Sequence, residues 1–174
     1  MNLTPSQTVG PFYGYALPFP GGGDIAAGGI VVHGYVYDGA GEPVPDALLE
    51  FWQADPDGDL SGAPGTLRRD PVNGAVAGRH GVDFTGFGRV PTDLDGRWTL
   101  RTLVPGTGYI SVCVFARGLL HHLYTRIYLA EHPFLDTLPA DRAHTLLATR
   151  ERDGVYRFDV HLQGDKETVF FDFG

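Results

Sequence analysis

The sequence has a single cysteine, Cys113, so no intramolecular disulfide can staple the fold. It has no run of about 18 apolar residues, which excludes a hydrophobic helix of membrane-spanning length. Basic residues are scarce: 13 Lys and Arg stand against 21 Asp and Glu, and the net charge is −8. The longest basic run is Arg68-Arg69. Such a chain repels phosphate backbones, and no nucleic-acid partner is expected. Met1-Asn2-Leu3-Thr4-Pro5 has no basic segment leading into an apolar one, so neither a leader nor a membrane anchor is expected, and the location expected is cytoplasmic.

What is plentiful points to turns and burial. There are 25 Gly and 13 Pro among 174 residues, a count that favours many short connections over long helices. The 11 Phe, 8 Tyr and 2 Trp supply enough burial to make disorder untenable. The length fits one domain with a full core.

Residues 1–29 form an N-terminal arm. Pro5, Pro11, Pro18 and Pro20 remove backbone donors, and Gly21-Gly22-Gly23 closes the segment flexibly. The arm carries Phe12, Tyr13, Tyr15 and Phe19, aromatic anchors that favour packing on a partner chain. From Ile30 the pattern changes to period two. Strands are expected at Ile30–Tyr37, 46–53, 87–90, 97–103, 109–117 and 123–130, with one short helix between Pro133 and His144. Residues 155–163 alternate Tyr156, Phe158, Val160 and Leu162 with mostly polar neighbours, and 168–173 add an aromatic strand or tail. The turn-rich stretch 55–86 is long for a compact domain, and such loops are often functional. Seven to nine short strands over 30–174 define an all-β class: one antiparallel β-sandwich domain with long loops and an extended arm.

Within it, the strand-turn-strand from Val32 to Ala47, through Asp38-Gly39-Ala40-Gly41, resembles the opening hairpin of prealbumin-like sandwiches, which supports a fold and no chemistry. Three further stretches narrow the class. They are Thr4-Pro5-Ser6-Gln7-Thr8-Val9-Gly10-Pro11-Phe12-Tyr13, then Leu49-Glu50-Phe51-Trp52-Gln53-Ala54-Asp55, then Phe87-Gly88-Arg89 with Thr92-Asp93, Asp95-Gly96, Arg101-Thr102 and Pro105-Gly106. In this order they resemble the intradiol ring-cleavage dioxygenases. Phe115-Ala116-Arg117-Gly118 and the ending from Gln163 to Phe173 are similar to the iron-free α chains of the heteromeric members.

The resemblance implies chemistry that this chain cannot complete alone. The family holds Fe(III) with two tyrosinates and two histidines, the latter as His-x-His on one face of a strand. Here the matching stretch is Tyr109-Ile110-Ser111, and no tyrosine occurs between Asp38 and Gly108. Only Thr107-Gly108 separates the Pro105-Gly106 turn from Tyr109, so the loop expected to carry the second tyrosine is truncated. The resemblance therefore implies no metal ligand and no catalytic residue here. It implies an α subunit whose homologous β partner binds Fe(III), in a higher hetero-oligomer of αβ pairs. The substrate is then a small aromatic acid, 3,4-dihydroxybenzoate, cleaved with dioxygen to 3-carboxy-cis,cis-muconate. By motif, Thr8, Gly10 and Phe12 of the arm and Arg117 would contact that substrate, Arg117 attracting its carboxylate. Phe12 is a tyrosine in some relatives, so a hydroxyl is missing there.

Other clusters have plainer readings. His121-His122 are strand neighbours pointing to opposite faces, and with His132 they suit solvent or interface roles. Asp55, Asp57 and Asp59 imitate a calcium loop, yet Gly58 is misplaced and position twelve is Thr66, so a polar turn is expected. Asp93 and Asp95 suit a turn too, Gly21-Gly22-Gly23 lacks the Lys of a phosphate loop, and Cys113 lacks an activating base. Two rivals stand beside the subunit reading. One is a non-enzymatic β-sandwich binding module descended from dioxygenases; the other is a rebuilt metal site using His80, Tyr109 or His121.

Overall fold

Residues Ile30–Tyr37 bury every second position, and that alternation makes them β1, the central strand of one sheet. The computed structural model describes residues 16–60, 67–79 and 83–173. Strand β1 pairs antiparallel with β6 (Arg97–Thr102). On its other edge it pairs in succession with β10 (Val155–Arg157) and β11 (Val160–His161). Beyond β10 lies β9 (Thr149–Arg152), an edge strand outside the sequence expectation because all four of its residues are exposed and polar. The facing sheet runs β5-β2-β7-β8 and is antiparallel throughout: Phe87–Pro91, Leu48–Trp52, Tyr109–Phe115 and Leu123–Tyr128. Inside the stretch 55–86, a small hairpin pairs β3 (Leu67–Arg69) with β4 (Val76–Arg79).

The two sheets close on Val32, Val36, Leu49, Phe51, Trp98, Leu100, Ile110, Val112, Val114, Ile127, Phe158 and Val160. Phe51 and Trp98 pack with ring centroids 5.1 Å apart across this core. Cutting a buried Phe to Ala costs roughly 3–5 kcal/mol, so this contact alone holds a large share of a domain's stability. The segment Leu135–Thr137, Ala140–Ala143 and His144–Leu146 is three helical turns rather than one helix; Leu135 and Leu146 pack on Tyr128 beside the second sheet.

The sandwich is mostly antiparallel as expected, with β10 and β11 added as short parallel pairings on β1. The single strand expected over 155–163 needs correction. Gly34 leaves room for the carbonyl of Phe158, which a Cβ there would meet at 1.8 Å. Just beyond, the Asp159 carboxylate accepts the Tyr35 backbone N–H at 3.1 Å, replacing a ladder bond and breaking the strand in two.

The Gly21-Gly22-Gly23 segment is likewise packed rather than flexible. A Cβ on Gly22 would lie 2.1 Å from the Arg89 carbonyl, and one on Gly23 2.6 Å from that of Thr99. The Gly22 and Gly23 carbonyls accept from the backbones of Arg89 and Arg101, and Ile25 is buried in the core. Arg79 of β4 reaches over, donating to Gly22 O at 2.9 Å and to the carbonyl of Phe87, with its guanidinium over Phe19. Thus the stretch 19–26 of the arm lies on its own sandwich; residues 1–15 are outside the described residues.

Turn chemistry follows one device. The Asp38 carboxylate accepts from the N–H groups of Ala40 and Glu42, Asp55 from those of Asp57 and Asp59, and Asp93 from those of Asp95 and Arg97. Each is an aspartate closing its own turn, which accounts for the expected polar turns at 55–59 and 93–97. The truncated loop is a tight turn: Gly108 N–H donates to Pro105 O at 2.9 Å, and Gly106 N–H to Asp55 O at 2.8 Å.

Candidate functional site

Strand β7 carries two faces. Ile110, Val112 and Val114 point into the core, so Tyr109, Ser111, Cys113 and Phe115 point outward. Ladder register then fixes their neighbours. Ser111 lies between Trp52 of β2 and Arg126 of β8; Cys113 lies between Glu50 and Tyr124; Tyr109 is opposite Tyr128. Small side chains at the centre, bracketed by large ones, make a depression. It is an aromatic-walled cavity of about 490 Å³, with Phe171 and Phe173 of the C-terminal tail along its edge. The Tyr124–Phe171 bridge ties that tail to β8.

Its electrostatics are one-sided. Glu50 is neutralised by Arg89, whose Nε and Nη2 lie 2.7 and 2.5 Å from its Oε1. Arg126 has no carboxylate partner among the described residues. Its guanidinium lies 4.3 Å from the Tyr109 ring centroid and within 5.6 Å of those of Phe134 and Phe171. Its Nη1 donates to the Tyr128 hydroxyl, at 3.3 Å. Burial, with Glu50 nearby, pushes the Cys113 thiol up to about 12, so it stays protonated and unreactive.

A ferric ion does not fit this donor set. The two positions matching His-x-His do share the outer face, but they are Tyr109 and Ser111, and a guanidinium covers the one phenol. Among the described residues no three His, Cys, Asp or Glu side chains are grouped to hold a metal. His122 Nε2 lies 2.6 Å from the Tyr124 hydroxyl, and His132 Nδ1 accepts the Phe134 N–H at 3.1 Å. His80, the further histidine of the rival site, lies outside the described residues.

Of the expected substrate contacts, Thr8, Gly10 and Phe12 lie outside the described residues. Arg117 sits just past the end of β7 with its side chain 63% exposed. Its Nε and Nη2 both reach Asp46 Oδ2, at 2.8 and 2.7 Å. The salt bridge holds the guanidinium by one edge, and Nη1 has no partner among the described residues. Sequence reasoning missed Asp46 and Arg126. Arg126 had a visible signal, a lone cation between Tyr124 and Tyr128 in an otherwise uncharged strand; Asp46 had none, since it lies 71 residues from Arg117.

A dioxygenase family model matches residues 19–112. The mixed sandwich and the altered His-x-His strand thus define the class: the chain belongs to the intradiol ring-cleavage dioxygenase family. Within it, the likeness is to alpha chains of protocatechuate 3,4-dioxygenase. The one from Burkholderia cepacia is 40% identical, with 99% of this chain and 98% of the relative covered. The one from Pseudomonas putida is 37% identical, with 98% and 96% covered. Among solved structures, the dioxygenase domain of a dioxygenase carbohydrate-binding protein fusion from Streptomyces sp. SirexAA-E matches with a TM-score of 0.57 and 28% identity, over 82% of this chain and 87% of that one.

Proposed function

We propose that this chain is the iron-free subunit of a protocatechuate 3,4-dioxygenase, paired with a homologous β chain that holds Fe(III). The observation that carries this reading is the outer face of β7, where a family that needs two histidines finds Tyr109 and Ser111 beside a guanidinium. Similarity along nearly the whole chain to two alpha chains supports the subunit assignment, and the word alpha in their names implies a beta. Fe(III), when held by the partner, prepares the bound diol for dioxygen.

This chain's part is recognition. Arg117, fixed by Asp46 through one edge, keeps Nη1 for the carboxylate of 3,4-dihydroxybenzoate. Thr8, Gly10 and Phe12 line the mouth of the partner's pocket, Gly10 allowing close backbone approach. Both atoms of dioxygen enter the product, 3-carboxy-cis,cis-muconate. The αβ pairs assemble further in the cytoplasm.

The test is iron content and protocatechuate-dependent oxygen uptake, for this chain alone and co-expressed with its β homologue. Iron and turnover only in the co-expressed complex are the expected outcome. Iron and turnover in the lone chain overturn the reading.

A further inference from the structure

The cavity over Ser111 is set apart from the Arg117 rim by what it contains. Across the outer face, Arg126, Ser111 and Trp52 form one row on three adjacent strands. Two strand spacings separate the ends of that row, about 10 Å. One end is a cation and the other an indole that is 40% exposed, with only a serine between them.

That layout selects a ligand. A cation lacking a carboxylate partner, held over three rings, favours an anion and repels metal ions. With the Glu50 charge spent on Arg89, Arg126 is the one Lys or Arg among the described residues that line the cavity, suiting a monoanion rather than a phosphate dianion. The fork of a guanidinium matches a carboxylate in two parallel hydrogen bonds. Aromatic walls favour a planar ring, stacked or edge-on, over an aliphatic chain. The volume of about 490 Å³ accommodates one such ring.

We propose that this chain carries its own binding site for a small aromatic monocarboxylate, with the carboxylate on Arg126 and the ring over Ser111 against Trp52. The site is separate from the partner's iron and performs no ring cleavage. Its occupancy gives the αβ pair two aromatic-acid sites, of which one is chemically silent.

The test is equilibrium dialysis of labelled benzoate against the iron-loaded αβ complex, counting molecules bound per pair. The wild-type complex is expected to bind two. Arg126→Gln is expected to weaken one of the two about ten- to a hundredfold, leaving oxygen uptake at saturating substrate unchanged. Ser111→Phe, which fills the floor without touching the charge, is expected to remove the same site; it decides the matter if the Arg126 variant does not assemble. A wild-type count of one overturns the proposal, as does a count of two in both variants. Oxygen uptake keeps this separate from the subunit reading: turnover with a count of one sinks only the second site. A silent complex that loses one benzoate with Arg126→Gln sinks only the subunit reading.

Discussion

The outer faces of the two sheets invite comparison. On the sheet built around β1, two charged pairs stand out: His33 Nε2 lies 2.9 Å from Glu151, and Arg157 grips Asp159 through Nε and Nη2. Tyr35, Tyr37 and His161 stack alongside. On the sheet built around β7, Arg126 is caged by rings with no carboxylate against it among the described residues. The first arrangement is a surface made quiet by local pairing. The second keeps a charge available to something outside the chain. Unpaired charge beside apolar walls distinguishes a site from a solvated face, because partial desolvation of a lone cation is costly without a ligand to meet it.

The largest expected effect strikes what the two faces share. Phe51→Ala should lower stability by about 3–5 kcal/mol, read in urea unfolding followed by tryptophan fluorescence, since its ring packs on Trp98 between the sheets. A loss under 1 kcal/mol would mean that the sheets do not depend on this contact.

Next comes Arg117. In the αβ complex, Arg117→Ala should raise the protocatechuate KM about ten- to a hundredfold, the equivalent of a charged hydrogen bond of roughly 1.5–3 kcal/mol. Iron content should not change. An unaltered KM would reduce the Arg117–Asp46 pair to a salt bridge like those on the quiet face.

On that quiet face, Arg157→Ala should cost less than about 1 kcal/mol in the same unfolding assay, because the pair is partly exposed and screened. A larger loss would erase the contrast.

A smaller effect lies in pH. Burial, and more weakly Lys166, hold the His161 pKa below the ordinary 6.5, against the pull of Asp159. Above that value the imidazole is neutral whether the chain is folded or not. As pH falls, the unfolded chain takes up the proton first, so stability present above about 6.5 is lost as pH drops through the folded value. His161→Gln should flatten the acid side of a plot of Tm against pH between 7 and 5. An unchanged slope would assign the acid sensitivity elsewhere.

The smallest expected effect is none. Tyr109→His with Ser111→His rebuilds the His-x-His spacing, yet Arg126 remains and the two tyrosinates do not return. Elemental analysis should find no stoichiometric iron in the purified double variant. Stoichiometric iron would show that the two histidines alone decide metal binding on this face.

Much of this was legible in the residues. Ile30–Tyr37 and Tyr109–Phe115 announced themselves by alternation, since each inward side chain must be apolar and each outward one need not be. The motif at Phe115-Ala116-Arg117-Gly118 and the missing tyrosines point to an α-type chain by themselves. Strand β9 was not legible, because TRER on an exposed edge carries no apolar period. The triple glycine misled: its sequence reads as slack, while its space is filled by the carbonyls of Arg89 and Thr99.

The sequence by itself therefore determined the strongly alternating strands, the residues that stand at the His-x-His positions and the charge of the chain, because periodicity, residue identity and composition are local properties. Only the tertiary structure decided that the tail of the arm lies on its own sandwich, that β10 and β11 run parallel to β1, and that Asp46 holds Arg117. It also decided that Arg126, Ser111 and Trp52, distant along the chain, share one row. Such pairings depend on strand register and on which backbones approach one another, and no residue states its distant neighbour until the sheets are closed.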